Sequence, residues 1–462
     1  MSQMKIYNIG LNLLFVTIAS LWSIMMYYTI VPWALNAPLP MESDLDLSTA
    51  MWFFVSLSFI GNGLWFFIQL TYLVVGKKLV QNQKTFIKNH DFNFNSPLVS
   101  ILIPARNEES VIQRTIEGCL SQTYGNIEIL VICHNCTDKT FDVAKSKDSR
   151  VRPLDYKTSE AGKGIALNFG MGESKGEYIL VLDADGILSP DFIHNAIPYF
   201  KKGFAGIQGK IVSANRDYNR LTKMLSLEGY MFSTPFMAVR HFLDKRTPLC
   251  GTGFILDKKI LEKIGGFSNA LIEDFELSFR LFRKNHKVGY SPLSVVYDEK
   301  PADLPLMYRQ RARWVKGHVD MLTQMRPQLT DVIGMIYWLS PVFLMSGLIS
   351  ILITSFSLIT YILLGFFPYE FSFIPIILWF FLLIGSYTLQ FLIVIKDIGI
   401  HSMKYALNLA MVLPFSQYWY ICLIKSFFVK SWANNKTVHG FIRDQDIEQI
   451  RKEQMTRLMD VS

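Results

Sequence analysis

Charge is missing from long stretches of this 462-residue chain. No Asp, Glu, Lys or Arg occurs from Ile6 to Met41, from Leu47 to Gly76, from Val332 to Tyr369 or from Phe371 to Ile395. About 20 apolar residues cross the hydrocarbon core of a bilayer as a helix, so each run is long enough to span, and a wholly soluble protein is excluded. The first run is too long for a signal peptide and lacks a small-residue cleavage site. Cysteine is scarce as well. The five, Cys119, Cys133, Cys136, Cys250 and Cys422, fall in segments read as cytosolic or membrane-embedded, which excludes a secreted disulfide scaffold. The net charge of +8 is modest and gathers near the ends of the apolar runs. Anionic lipid headgroups account for it, and no nucleic-acid partner is required.

What is present divides the chain into four parts. Residues 1–76 read as two N-terminal transmembrane helices, 77–331 as a cytosolic domain, 332–430 as C-terminal transmembrane or interfacial helices, and 431–462 as a cytosolic segment with a charged tail. Lys77, Lys78, Lys84 and Lys88 follow the second run, whereas the loop before it carries only Glu42, Asp44 and Asp46. Basic loops stay on the cytoplasmic side, which puts the central domain inside a cell membrane crossed several times. Tyr405 to Ile424 is apolar but interrupted by Pro414. Counting it as a full span would place Lys425, Lys430, Lys436 and Arg443 outside, so it reads as an interfacial or re-entrant helix. Interfacial aromatics such as Trp338 and Trp419 are candidates for a channel lining or a membrane belt.

The central domain alternates buried strands with helical patterns. Val99 to Pro104 is a strand followed by apolar positions at helical spacing from Val111 to Leu120; Ile127–Ile132 and Tyr178–Leu182 are further strands. The alternation predicts a mostly parallel α/β sheet covered on both faces, with chemistry in the loops beyond the carboxyl ends of its strands. One such loop is Asp183-Ala184-Asp185, a carboxylate pair suited to a hard divalent cation, though an isolated pair of this kind is also an ordinary polar turn. Glu273-Asp274 opens a helical pattern with Leu277, Phe279 and Leu281 inward and Arg280 and Arg283 toward solvent; carboxylates there complement the helix dipole. Cys133-His134-Asn135-Cys136 after the second strand has the spacing of a redox pair, but within this pattern it reads as incidental. Gln310-Arg311-Ala312-Arg313-Trp314 joins two guanidinium groups to an indole, able to hold a diphosphate and stack a sugar.

In order, Asp183 and Asp185, Glu273-Asp274 and Gln310-x-x-Arg313-Trp314 resemble the signature of the processive membrane family-2 glycosyltransferases, the group of cellulose, hyaluronan, chitin-oligosaccharide and poly-N-acetylglucosamine synthases. Ile103 to Glu108, Gly162-Lys163 with Ala166-Leu167-Asn168, and Leu249 to Gly253 resemble further family segments. The likeness runs from about Pro97 to His318. It implies a GT-A-type (Rossmann-like) domain inserted between transmembrane helices. Ala105, Asn107, Glu108, Asn135, Asp138, Lys163, Asp183, Asp185, Gln310 and Arg313 would bind the nucleotide sugar, and Asp185 with Asp183 would hold Mg2+ or Mn2+. Asp274, beside Glu273, would be the general base, while Cys250, Gly251, Thr252 and Trp314 would receive the acceptor. One departure is that Cys133-His134 stands where the family has an Asp against uracil, so that contact passes to Asn135 or Asp138. Trp432 to His439 resembles the family's gating segment, and Asp444 to Met459 is a charged helical tail with no assigned role.

These implications describe an inverting enzyme that polymerises sugar from UDP-N-acetylglucosamine or UDP-glucose into a β-linked extracellular or capsular polysaccharide and couples this to export. The partners are the donor, a growing polysaccharide or lipid acceptor, membrane lipids and an accessory or regulatory membrane subunit. A nonprocessive transferase acting on a membrane lipid is the nearest alternative. A transport or scaffold subunit with a dead transferase fold is another, which the retained Asp183, Asp185, Asp274 and Arg313 oppose.

Overall fold

The computed structural model describes residues 47–88, 97–326, 338–364 and 439–461, with further described residues between 331 and 335 and between 385 and 429. The run from Ile6 to Met41, most of Phe371 to Ile395, and Trp432 to Val438 lie outside the described residues. The chain forms two compact units, one of residues 1–67 and 342–389, the other of residues 68–341 and 390–462.

Helix α1 spans Leu47–Lys88 without a break at Gly76, where the sequence suggests that the membrane segment ends. Among the described residues one helix, Gly63–Ile87, is long and apolar enough to cross a membrane. In the first unit the described residues are helical, and Gly61 approaches the ring of Phe343 closely enough that a Cβ would lie 3.2 Å from it. Leu352, Ile359, Ile362, Leu363 and Leu364 are exposed there, the kind of apolar surface that a bilayer or a partner covers.

The second unit is built on one eight-stranded sheet. Its strands are β1 (Val99–Ala105), β2 (Ile127–His134), β3 (Val151–Tyr156), β4 (Tyr178–Val181), β5 (Ile187–Leu188), β6 (Phe204–Ser213), β7 (Phe254–Asp257) and β8 (Lys287–Asp298), in spatial order β3-β2-β1-β4-β7-β6-β8-β5. The first four lie parallel, with Val99 opposite Ile127 and Tyr178. Six of the eight strands point the same way, as the expectation of a mostly parallel sheet has it, and β7 and β5 are the two reversed. β7 runs antiparallel to both β4 and β6, β6 and β8 are parallel, and β5 returns antiparallel on β8. The resulting GT-A-like sheet is a parallel half fused to a mixed half. Strand β3 has no counterpart in the sequence reading, because Arg152, Pro153 and Asp155 break its apolar pattern at a sheet edge.

Burial follows the alternation of side chains across each strand. Val99, Ile101 and Ile103 face one core with Ile129, Val131, Ile112, Ile116 and Cys119, whereas Leu102, Leu130 and Ile132 face the other with Ala166, Leu167 and Leu277. The helices covering these faces include α2 (Ile112–Leu120) and α3 (Lys163–Glu173). The longer α4 (Arg220–Leu243) is capped by Asn219, which accepts from Thr222 N. Next come α5 (Glu273–Arg283) and α6 (Leu304–Gln324), the latter capped by Asp303 with a proline in its first turn. A short α7 (Tyr418–Ser426) packs along α6, and α8 (Asp444–Val461) closes the chain. The charged tail is thus a docked helix. Ile442, Ile447 and Ile450 meet Ile187, Ala214, Val295 and Tyr297 on the β5–β8 edge. Arg280 corrects the reading of a solvent-facing residue, since it bonds Glu276 and donates to the carbonyls of Ile264 and Gly266.

Candidate active site

The parallel half delivers three loops to one end of the sheet, and its mixed half brings a fourth. After β1, Asn107 takes a left-handed conformation (φ 56°) and grips the β2 loop. Its Oδ1 accepts from Thr137 N at 2.8 Å and its Nδ2 donates to Thr137 Oγ1 at 3.0 Å. Glu108, beside Ala105 and Asn107 in sequence, is buried. Asp138 spends its carboxylate inside the same loop pair, accepting from Thr140 N and Oγ1 and from Glu109 N. Asn135, also left-handed (φ 53°), donates to Thr158 O at 2.9 Å and accepts from Thr158 N at 3.0 Å. Both candidates for the base contact are therefore committed to holding loops together. His134 stacks on Tyr156 (5.3 Å between ring centroids), and Tyr156 stacks on Phe169 (4.0 Å). All five cysteines are free thiols. A hydrogen bond with Cys133 draws the Cys136 thiol down to about 7.

A cluster of carboxylates and cations forms where β4 meets the loop before β7. Lys163, the first residue of α3, has three donors and uses each on protein. Its Nζ lies 2.6 Å from Asp183 Oδ1 and 3.3 Å from Glu273 Oε1, and it donates to Gly251 O at 2.7 Å. Burial disfavours its charge, yet Asp183 and Glu273 hold its pKa above the ordinary lysine value. Asp183 N donates to Thr252 Oγ1 at 3.0 Å. The loop from Cys250 to Gly253 is braced by Gln208, whose amide accepts from Cys250 N and donates to Thr252 O. Gly251 sits at φ +68°, and a Cβ there would lie 3.6 Å from Asp274 Oδ2, so the loop backbone passes directly against that carboxylate.

Burial, with the negative charge of Glu273 next to it, pushes Asp274 up to about 7 against the opposing pull of Lys163. Arg313 approaches from α6, donating to Leu271 O at 3.2 Å. Burial lowers its guanidinium from the ordinary arginine value against the pull of Glu273, Asp183 and Asp274. Asp183, Lys163, Gly251, Thr252, Glu273, Asp274 and Arg313, drawn from five separate stretches of sequence, thus meet in one cluster. Gln310 and Trp314 flank Arg313 on α6, each half-buried.

Asp185 faces a different set of partners. Its Oδ2 accepts from Glu299 N at 3.1 Å and lies 3.2 Å from His439 Nδ1. Glu299 in turn accepts from Gly440 N at 2.8 Å and Phe441 N at 3.0 Å, which ties the strap before α8 to the end of β8. Burial alone would lower the His439 imidazole, but Asp185, with Glu108 and Glu299, raises it to about 10. The sequence reading placed His439 in a gating-like segment and did not single out Glu299 or Arg114, whose Nη2 lies 3.7 Å from Glu299 Oε2.

A divalent cation fits this corner. Magnesium and manganese need only one or two protein carboxylates and take the remaining ligands from water and phosphate. Glu299 Oε2 is buried without an aligned hydrogen-bond partner among the described residues, so one carboxylate oxygen near Asp185 is left for a cation, while the His439 imidazolium occupies Asp185 Oδ2 in its absence. No three His, Cys, Asp or Glu side chains converge on one point among the described residues.

The stretch that carries this cluster is similar in sequence to known glycosyltransferases. Residues 96–317 match the family described as Glycosyltransferase like family 2, and that segment is a family-2 glycosyltransferase domain. Over 236 residues the chain is 31% identical to a probable glycosyltransferase, YdaM, of Bacillus subtilis, covering 48% of this chain and 55% of the relative. It is 30% identical to a beta-monoglucosyldiacylglycerol synthase of Nostoc, covering 48% and 49% of the two chains. With a poly-beta-1,6-N-acetyl-D-glucosamine synthase of Staphylococcus epidermidis it shares 25% identity, covering 48% and 55%. The chain spans about half the length of the curated relatives it matches.

Proposed function

We propose that the chain is a multi-pass membrane enzyme whose cytosolic domain transfers a hexose or N-acetylhexosamine from a UDP-sugar, with inversion, to an acceptor hydroxyl. The observation that carries the reading is Asp274. Its carboxyl, pushed up to about 7, adjoins Gly251 and the Lys163–Asp183–Glu273 cluster, a setting in which a group takes up a proton near neutral pH. The acceptor oxygen bonds to the anomeric carbon as its proton passes to the Asp274 carboxylate. The bond from that carbon to the diphosphate oxygen breaks, its electron pair leaves with UDP, and an α-linked donor gives a β-linked product. Arg313 supplies fixed positive charge beside the cluster, where negative charge grows on the leaving group. Mg2+ or Mn2+ bound by Asp185 and Asp183 would offset the diphosphate charge, displacing the His439 imidazolium from Asp185. Lys163, which contacts Asp183, Glu273 and Gly251 O, keeps the carboxylates together and places its charge where the donor diphosphate enters.

The acceptor that we favour is a growing β-linked polysaccharide built from UDP-N-acetylglucosamine or UDP-glucose and exported as it lengthens. The apolar runs flanking the domain and the poly-N-acetylglucosamine synthase among the relatives support it. A lipid acceptor is the second reading, supported by the higher identity to a glucosyldiacylglycerol synthase. The test is UDP release by purified protein in lipid across a panel of UDP-sugars with Mg2+ or Mn2+, with sizing of the product. A long polymer supports the first reading and a short glycolipid the second. Turnover that persists in Asp274→Asn would overturn the assigned base.

A further inference from the structure

The guanidinium of Arg311 has no place in the mechanism above, yet it is only 4% exposed. It lies over the ring of Trp314, 4.0 Å from the ring centroid, one helical turn along α6. The ring of Trp419 on α7 is also near it, 5.3 Å from centroid to guanidinium. Behind the stack is Glu228 of α4, 2% exposed, whose Oε2 lies 3.9 Å from Arg311 Nη2. Glu228 also accepts from Tyr418 OH and from Trp419 Nε1, each at 2.7 Å. One buried carboxylate therefore fixes two aromatic side chains of α7, Tyr418 and Trp419, and the cation that covers Trp314.

A buried ion pair of this kind adds little net stability, because desolvation consumes most of the attraction. What it supplies is a fixed arrangement. A ring that stacks a sugar needs a set plane, one covered face and one open face. Trp314 is half-buried with a planar cation along it, and its sequence neighbour Arg313 is surrounded by Asp183, Glu273 and Asp274. We propose that Glu228 and Arg311 are positioning residues that set the plane of Trp314, so that the acceptor's terminal sugar rests on its open face beside Asp274, and that α7 is the third wall of this mount. The inference rests on the reading of Trp314 as the acceptor platform.

The experiment compares wild type, Arg311→Lys, Arg311→Ala, Glu228→Gln and Trp314→Ala, each as the full chain in lipid. The acceptor probes are an N-acetylglucosamine tetramer and dioctanoylglycerol, and KM is measured separately for acceptor and UDP-sugar. Lysine keeps the charge toward Glu228 but loses the planar stack. Arg311→Lys should therefore raise the acceptor KM about tenfold, ~1.4 kcal/mol, as Arg311→Ala does. Donor KM should stay within about twofold and the melting temperature of the lysine variant near that of wild type. Glu228→Gln, which keeps its hydrogen bonds but not its charge, should raise the acceptor KM by a smaller factor. A wild-type acceptor KM in Arg311→Lys, or acceptor and donor KM moving together, overturns the proposal. If Trp314→Ala leaves the acceptor KM unchanged, the platform reading itself fails. If Trp314→Ala raises it and the Arg311 variants do not, only the positioning role fails. Absence of a saturable response to either probe in wild type also overturns it.

Discussion

Replacing Asp274 with Asn should slow the enzyme and stabilise the fold at once. Its carboxyl moves from 3.8 to about 7 on folding, because burial and Glu273 outweigh Lys163. Between those values the native state holds a proton that the unfolded chain has released, so stability falls as pH rises through that window. At 1.36 kcal/mol per pH unit the full displacement corresponds to ~4 kcal/mol. Asp274 is half-buried by surface area, and water reaching it screens the charge, so about 1–2 kcal/mol is expected at pH 8. Thermal melts of wild type and Asp274→Asn at pH 8 and pH 4 test this: the variant melts higher at pH 8, and the two converge near pH 4. Turnover should fall by about 10²–10⁴ in the variant, and the wild-type rate should rise toward a plateau above about pH 7. A variant with no gain in melting temperature at pH 8, or with wild-type turnover, refutes the assignment of a strained base.

Three further outcomes follow from the same geometry. Lys163→Met removes the cation that bridges Asp183 and Glu273 and leaves Arg313 alone to offset them, at a cost of about 1–3 kcal/mol; denaturant unfolding reads this, and an unchanged midpoint contradicts the shared role of the lysine. His439→Ala removes the imidazolium that competes with a metal for Asp185, so the Mn2+ concentration for half-maximal rate should fall severalfold with little effect on donor KM at saturating metal; an unchanged metal titration removes His439 from the site. Ile450→Ala, in a side chain 5% exposed against the β5–β8 edge, should cost about 2–5 kcal/mol of local stability. Amide exchange across residues 439–461 should then rise selectively, and uniform exchange over the whole domain would argue against a separately docked tail.

How much of this was legible in the sequence depends on what each feature rests on. Strands β1, β2 and β4 announced themselves because central parallel strands are buried on both faces and read as unbroken apolar runs. The Asp183, Glu273-Asp274 and Arg313 elements were found because each is carried by a local pattern, a strand end or a helix turn. Strand β3 escaped, since an edge strand tolerates Arg152, Pro153 and Asp155 on its open side. The mixed half escaped for a topological reason: nothing local in Phe254–Asp257 says that it will be inserted antiparallel between β4 and β6. Asn135 and Asp138 show the converse. Residue type alone singled both out, whereas their partners across the loops, Thr158 for Asn135 and Glu109 for Asp138, are set by the fold. The same logic explains Glu299 and His439, 140 positions apart in number and both facing Asp185, a site corner assembled by tertiary contact that no single stretch encodes. The chemistry of the cluster is therefore written locally, while its protonation is written by packing. Asp274 rises through its burial, and His439 rises and Lys163 stays charged because of carboxylates that only the folded chain brings to them.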